Sequence, residues 1–145
     1  MKNAHPLLTA AFEYCKKLGY RYTEPRAQVL RVLLEEKKPL GAYAILQKLS
    51  MDGNQPKPPT IYRAIHFWQQ EGFIHSIESL NAYVACLHGH HMGLSQFLIC
   101  NDCDYVEELE CDIDLQPLHQ SAQNSGFQTS EGTLEMHEVC ADCAK

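Results

Sequence analysis

Three things are scarce in this 145-residue sequence: long apolar runs, an N-terminal targeting pattern, and positive charge beyond the middle of the chain. No apolar stretch approaches the roughly eighteen residues that a membrane-spanning helix requires. The N-terminus lacks the basic, apolar and small-residue order of a secretion signal, so a cytoplasmic location is expected. There is no internal repeat and no low-complexity tract. Residues are 45% hydrophobic and 21% charged, the balance of a folded chain and not of a disordered one. The length excludes a large barrel or a doubly wound enzyme and leaves room for one or two small domains.

The formal charge of −6 is unevenly spread. Residues 1–84 hold eleven Lys and Arg against seven Asp and Glu, net +4, whereas residues 85–145 hold only Lys145 against eleven acids, net −10. The first stretch can approach a polyanion, and the second is repelled by one. The cysteines divide at the same place: Cys15 precedes it, and Cys86, Cys100, Cys103, Cys111, Cys140 and Cys143 follow. Seven thiols in a reducing compartment favour metal ligation over disulfides, and an odd number cannot all be paired. Two domains with separate tasks, 1–84 and 85–145, are the economical division.

Helical periodicity dominates the first half. Leu8, Ala11, Phe12 and Cys15 mark one inward face that Gly19 can end. Thr23 suits an N-cap before Ala27, Leu30, Leu33 and Leu34. A third helix carries Ala42, Ile45, Leu46 and Leu49 inward and stops at the polar turn from Asp52 to Pro56. In the segment KPPTIYRAIHFWQQEG, Pro58 and Pro59 fit a first helical turn, with Ile61, Ala64, Ile65 and Trp68 buried. Tyr62, Arg63, His66, Gln69 and Gln70 are then left facing outward. After Gly72 the period shortens toward two, and FIHSIES and AYVAC read as a hairpin. Helices followed by a hairpin give the order of a winged helix-turn-helix. The second half offers strands at Phe97–Ile99, Tyr105–Leu109 and Thr133–Val139, and a helix from about Asp112 to Asn124 with Leu115, Leu118 and Ala122 inward. The fold class is thus α+β.

Cys100 and Cys103 are spaced CxxC, and Cys140 and Cys143 repeat the spacing. Each pair can grip one edge of a tetrahedral ion, and four thiolates leave no place for water, which points to a structural zinc. Unbound buried cysteines and a redox dithiol are the alternatives. A second set straddles the charge boundary: His75 in the hairpin, Cys86 at its exit, His88, His90 and His91 in the next loop, and Glu107, Glu108 and Glu110. A thiolate among imidazoles and a carboxylate suits zinc better than iron(II) or manganese(II). An ion held from both sides would fix the relative orientation of the two halves.

On the fourth helix, Arg63 can offer a bidentate fork to guanine, with Tyr62 and Thr60 beside it. Arg26, Lys57 and Tyr43 are placed to contact phosphates, which supply affinity without sequence information. Cys15 reads as core, and Cys111 has no partner in either cysteine set. An enzyme is disfavoured: His137 and Glu138 precede CADC with deaminase-like residues at the wrong spacing, and a closed four-sulfur site cannot activate water. A zinc-stapled interaction domain with no DNA role is a further alternative.

The motifs YTEPRAQVL at 22–30, PPTIYRAIHFWQQEGFIH at 58–75, the histidine-rich loop leading into FLICNDC at 97–103, and the terminal CADC together resemble the ferric uptake regulator superfamily, and within it the zinc-sensing branch. The resemblance runs from about residue 8 to residue 143. It implies an N-terminal winged helix and a C-terminal α/β dimerisation domain. It also implies a homodimer reading a pseudo-palindromic, AT-rich operator and repressing zinc-uptake genes when zinc is plentiful, without a small-molecule substrate. It implies two zinc ions per monomer: a structural one on Cys100, Cys103, Cys140 and Cys143, and a regulatory one on His75, Cys86, Glu108 and a loop histidine. His91 is the first choice for that fourth ligand, His90 the next and His88 the last. A sister regulator sensing iron, nickel or peroxide is the alternative function.

Overall fold

A computed structural model describes residues 5–36, 38–53, 55–88, 94–110, 113–128 and 133–145. Four helices come first: α1 (Pro6–Leu18), α2 (Glu24–Glu35), α3 (Ala42–Met51) and α4 (Pro58–Gln70). Gly19 ends α1 in the left-handed region at φ 75°, where a side chain would be strained. The Thr23 hydroxyl caps α2 by accepting from the Arg26 amide. Pro58 and Pro59 open α4, where their missing N–H groups cost no helical bond.

These helices close over a core in which Trp68 is fully buried and its indole N–H donates to the Arg26 carbonyl at 2.8 Å. Phe73 and Tyr22 meet the Trp68 ring edge-on at 5.2 and 6.2 Å. The Tyr14 hydroxyl reaches across from α1 and donates to Glu71 at 2.6 Å. That bond, with burial and the carboxylate's charge, pushes the phenol up to about 12.

The hairpin of β1 (Ile74–Ile77) and β2 (Ala82–Ala85) follows, paired antiparallel from Ile74↔Ala85 to Ile77↔Ala82. Leu40 adds a third rung by exchanging two backbone bonds with Tyr83. The tip is a short 3-10 turn, Glu78–Leu80, closed by Asn81 at φ 48°. The helices and hairpin form a winged helix-turn-helix.

A second sheet has the order β4-β3-β5. The central β3 (Ser95–Cys100) runs antiparallel to β4 (Val106–Glu108) and parallel to β5 (Thr133–Glu138). The parallel pair needs a crossover, and α5 (Gln116–Asn124) lies within it. Alternation puts Ser95, Phe97 and Ile99 on one face, all buried. Phe97 and Ile99 pack there with Ile77, Leu80 and Val84 of the wing. The register aligns Glu108, Phe97 and Glu135 in one row across the sheet.

The α+β class and the order of elements match the sequence reading, with three local differences. Phe12 is 45% exposed, edge-on to Tyr22 at 5.3 Å, because Ala11 and Cys15 alone fill the space behind α1. In α2, Gln28, Val29 and Val32 join Leu30 and Leu33 in the interior, while Ala27 and Leu34 are only half-buried. α5 starts at Gln116, not near Asp112, which lies outside the described residues. It buries no residue, and Leu118 is 59% exposed because nothing among the described residues covers that face.

Candidate metal centres and nucleic-acid interface

Two tight turns bring four thiols together at the end of the second sheet. Cys100 closes β3 and Cys103 lies in the turn that follows, while Cys140 and Cys143 follow β5, the strand paired with β3. Their Sγ atoms all lie within 4.8 Å of one another. The Cys103–Cys140 separation is 3.8 Å. A tetrahedron with zinc–sulfur bonds of about 2.3 Å has an edge of ~3.8 Å, so the donors fit the ion without rearrangement. The Cys140 amide donates to Cys100 Sγ at 3.3 Å, and this bond leads the causes that pull the Cys100 thiol down to about 6. Cys143 moves upward, chiefly because it shares a proton with Cys140. A thiolate is the form that ligates a metal, so these four residues could hold a divalent cation.

The other cluster joins the two units. His75 comes from β1, Cys86 from the exit of β2 and Glu108 from the end of β4, with one donor atom of each within 4.8 Å of the others. His75 Nε2 lies 3.3 Å from Glu108 Oε1, and Cys86 Sγ lies 3.7 Å from the same oxygen. Bond lengths of about 2.0–2.3 Å in a tetrahedral site give edges of ~3.4 Å for nitrogen with oxygen and ~3.6 Å for sulfur with oxygen. The donor set thus fits a zinc ion with one position still to be filled. Burial, then the Glu108 charge, pushes the Cys86 thiol up to about 12, so it keeps its proton until a metal displaces it. Ser95 Oγ lies 3.2 Å from His75 Nδ1, and Phe97 meets the ring edge-on at 5.6 Å, which aims Nε2 at Glu108.

Of the remaining expected ligands, His88 pairs with Glu110 at 2.8 Å and stands outside the three-residue cluster. His90 and His91 lie outside the described residues, as does Cys111. Glu107 points to the opposite side of β4 and lines a cavity of about 600 Å³ with Tyr105, Leu98 and Glu138. Ser95 was missed by sequence reasoning, although its alternation with Phe97 and Ile99 carried the signal.

The outward face of α4 presents Tyr62, Arg63 and His66, with Thr60 half-buried beside them. Tyr43 on α3 is 71% exposed, and Lys57 stands exposed just before α4. Arg26, expected to meet a phosphate, is half-buried at the junction of α2 and α4. Its guanidinium stacks on Phe67 at 3.6 Å and donates to the Arg21 carbonyl, which braces α2 against α4.

Fold and site together define a winged-helix protein with two clusters that could hold a metal ion, one at the end of the second sheet and one between the wing and that sheet. The chain belongs to the Ferric uptake regulator family, whose profile matches residues 17–137. It is 36% identical over 141 residues to the zinc uptake regulation protein of Escherichia coli strain K12, covering 96% of this chain and 82% of that one. A solved zinc uptake regulator complexed with zinc and DNA superposes with a TM-score of 0.86 at 34% identity, covering 99% of this chain and 97% of that one. Holo XcZur gives 0.84 at 39% identity, covering 94% and 96% of the two chains. Apo XcZur gives only 0.55 at 37% identity, with both chains fully covered. The chain thus superposes more closely on the holo than on the apo structure of that protein.

Proposed function

We propose that this chain is a zinc-responsive transcriptional repressor of zinc-uptake genes that binds pseudo-palindromic, AT-rich operator DNA as a zinc-loaded homodimer. It acts in the cytoplasm by binding and not by catalysis. One observation carries the reading: the wing, its exit and the second sheet each contribute one donor to a single buried cluster of His75, Cys86 and Glu108. Zinc bound there ties the reading head of residues 1–84 to the dimerisation unit of residues 85–145. His91 supplies the fourth ligand, or His90 in its place, since His88 is paired with Glu110. The four-thiol cluster holds a second, structural zinc, giving two per monomer.

Thr60, Tyr62 and Arg63 on α4 enter the major groove, and Tyr43 and Lys57 meet phosphates. The acidic second half is repelled by DNA and so penalises docking by any other face. Exposed Leu118, Phe127, Met136 and Val139 on α5 and around β5 supply the apolar surface that a second copy covers.

Zinc that favours the DNA-competent arrangement shifts the population toward it, and operator DNA tightens zinc binding by the same factor. Moving from 1:99 to 99:1 takes about 5.5 kcal/mol of differential affinity, or about half of that per regulatory site in a symmetric dimer. The test is operator affinity by fluorescence anisotropy in protein chelated until only the four-thiol zinc remains, then titrated with zinc, iron(II) and nickel(II). Zinc should restore affinity at the lowest free concentration. Undiminished affinity after chelation overturns the reading, and restoration by iron or nickel below the zinc concentration reassigns the signal. Affinity should also fall with salt, since phosphate contacts release counterions.

A further inference from the structure

Besides the apolar packing of Phe97 and Ile99 on the hairpin, polar groups join the wing to the second sheet at two places among the described residues, and one of them is the His75–Cys86–Glu108 cluster. At the other, Glu135 reaches from β5 to the wing's tip, where Oε1 accepts the Ser79 amide at 3.3 Å. On the far oxygen, Oε2, His137 Nε2 approaches at 3.4 Å. Burial alone would push the Glu135 carboxyl up, but these donors outweigh it and hold it below the usual carboxylate range. The Glu135 side chain is 13% exposed, while Ser79 and the bond it makes lie at the surface.

The placement of Glu135 is set by strand register. Glu108 and Glu135 flank Phe97 in the same row, one on each side of the central strand. Between them Phe97 is buried with Ile77 of the wing. The hairpin is thus gripped at its base by the His75–Cys86–Glu108 cluster and at its tip by Glu135.

We propose that Glu135 is a positioning residue for the zinc response: it docks the wing's tip on the second sheet independently of metal, and thereby sets how much zinc is needed for DNA binding. This rests on the zinc-responsive reading above. A contact made only in the docked arrangement biases the equilibrium toward the state that zinc selects, so less zinc completes the shift. The bias does not touch the reading surface of α4, so saturating zinc overrides its loss.

The experiment compares Glu135→Ala, Glu135→Gln and Ser79→Ala with the unaltered protein, each carrying the four-thiol zinc. Operator binding is measured against buffered free zinc. Loss of a surface bond to a charged group predicts about a fivefold rise in the zinc midpoint for Glu135→Ala. Glutamine keeps an acceptor for the Ser79 amide, so Glu135→Gln should rise by about twofold, and Ser79→Ala, which keeps that amide, by less. All three should reach the same operator affinity at saturating zinc.

Small-angle scattering of the chelated protein gives a readout without DNA, in which Glu135→Ala should be more extended than the parent. Unchanged zinc midpoints and unchanged scattering overturn the proposal. So does a loss of operator affinity that persists at saturating zinc, which would place Glu135 in the reading surface instead. If the unaltered protein binds its operator without zinc, the regulator reading fails and this inference with it. That outcome is distinguishable, because it is seen before any variant is made.

Discussion

Among the described residues, fifteen buried side chains from Ala11 to Ala85 make one continuous core in the first half of the chain. The second sheet buries Phe97 and Ile99 against Ile77, which the wing provides. The first half is held by apolar burial at roughly 25 cal/mol per Å². Among the described residues the second sheet has a much smaller core of its own, and four thiols gather at its end. The two clusters differ in what they join: one links the ends of two paired strands within the second sheet, and the other links that sheet to the wing.

The strongest way to break this comparison is to remove the thiol staple. Cys103→Ser should abolish the four-thiol zinc, worth on the order of 10 kcal/mol in small zinc domains, and with it the fold and dimer of the second half. Tryptophan fluorescence should still report a folded first half, because Trp68 sits in the other core. Unfolding of Trp68 at the same step would show that the halves are one cooperative unit.

The reciprocal change is Trp68→Ala, expected to cost about 3–5 kcal/mol through the cavity it leaves. Operator binding should be lost, while structural zinc content and dimer mass by sedimentation are retained. Cys86→Ser should spare both folds and remove zinc-dependent operator binding, and thermal scans should place it near the parent. Arg63→Ala should leave zinc content untouched and cost about 1–3 kcal/mol of discrimination between operator and mismatched duplex, measured by competition. The smallest effect is expected of Ser95→Ala, which frees the His75 ring and should weaken regulatory zinc affinity by about tenfold in a chelator competition assay.

The local chemistry of this fold was legible because short spacings carry it. The CxxC pairs, the Thr23 cap, the paired prolines opening α4 and the Ile61–Trp68 stripe are each fixed by a few neighbouring residues. His75, Cys86 and Glu108 were found through residue type and resemblance, and the structure brings them together. Contacts between distant segments were not legible. Nothing in the sequence around Arg26 announces that Phe67 takes its guanidinium, and nothing around Glu135 announces Ser79. Both depend on how helices and sheets dock, which a periodic pattern leaves open. Leu118 failed for a related reason: an amphipathic stripe says that a face is to be covered, without saying by which molecule.

Both clusters are joined by one short strand. β3 ends in Cys100, and its first residue, Ser95, lies against the ring of His75. Six residues therefore set the distance between the four-thiol cluster and the His75 ring. One residue inserted between Phe97 and Cys100 would leave CxxC intact and turn Ser95 and Phe97 to the opposite side of the sheet. Such a chain would fold around its zinc and be deaf to it.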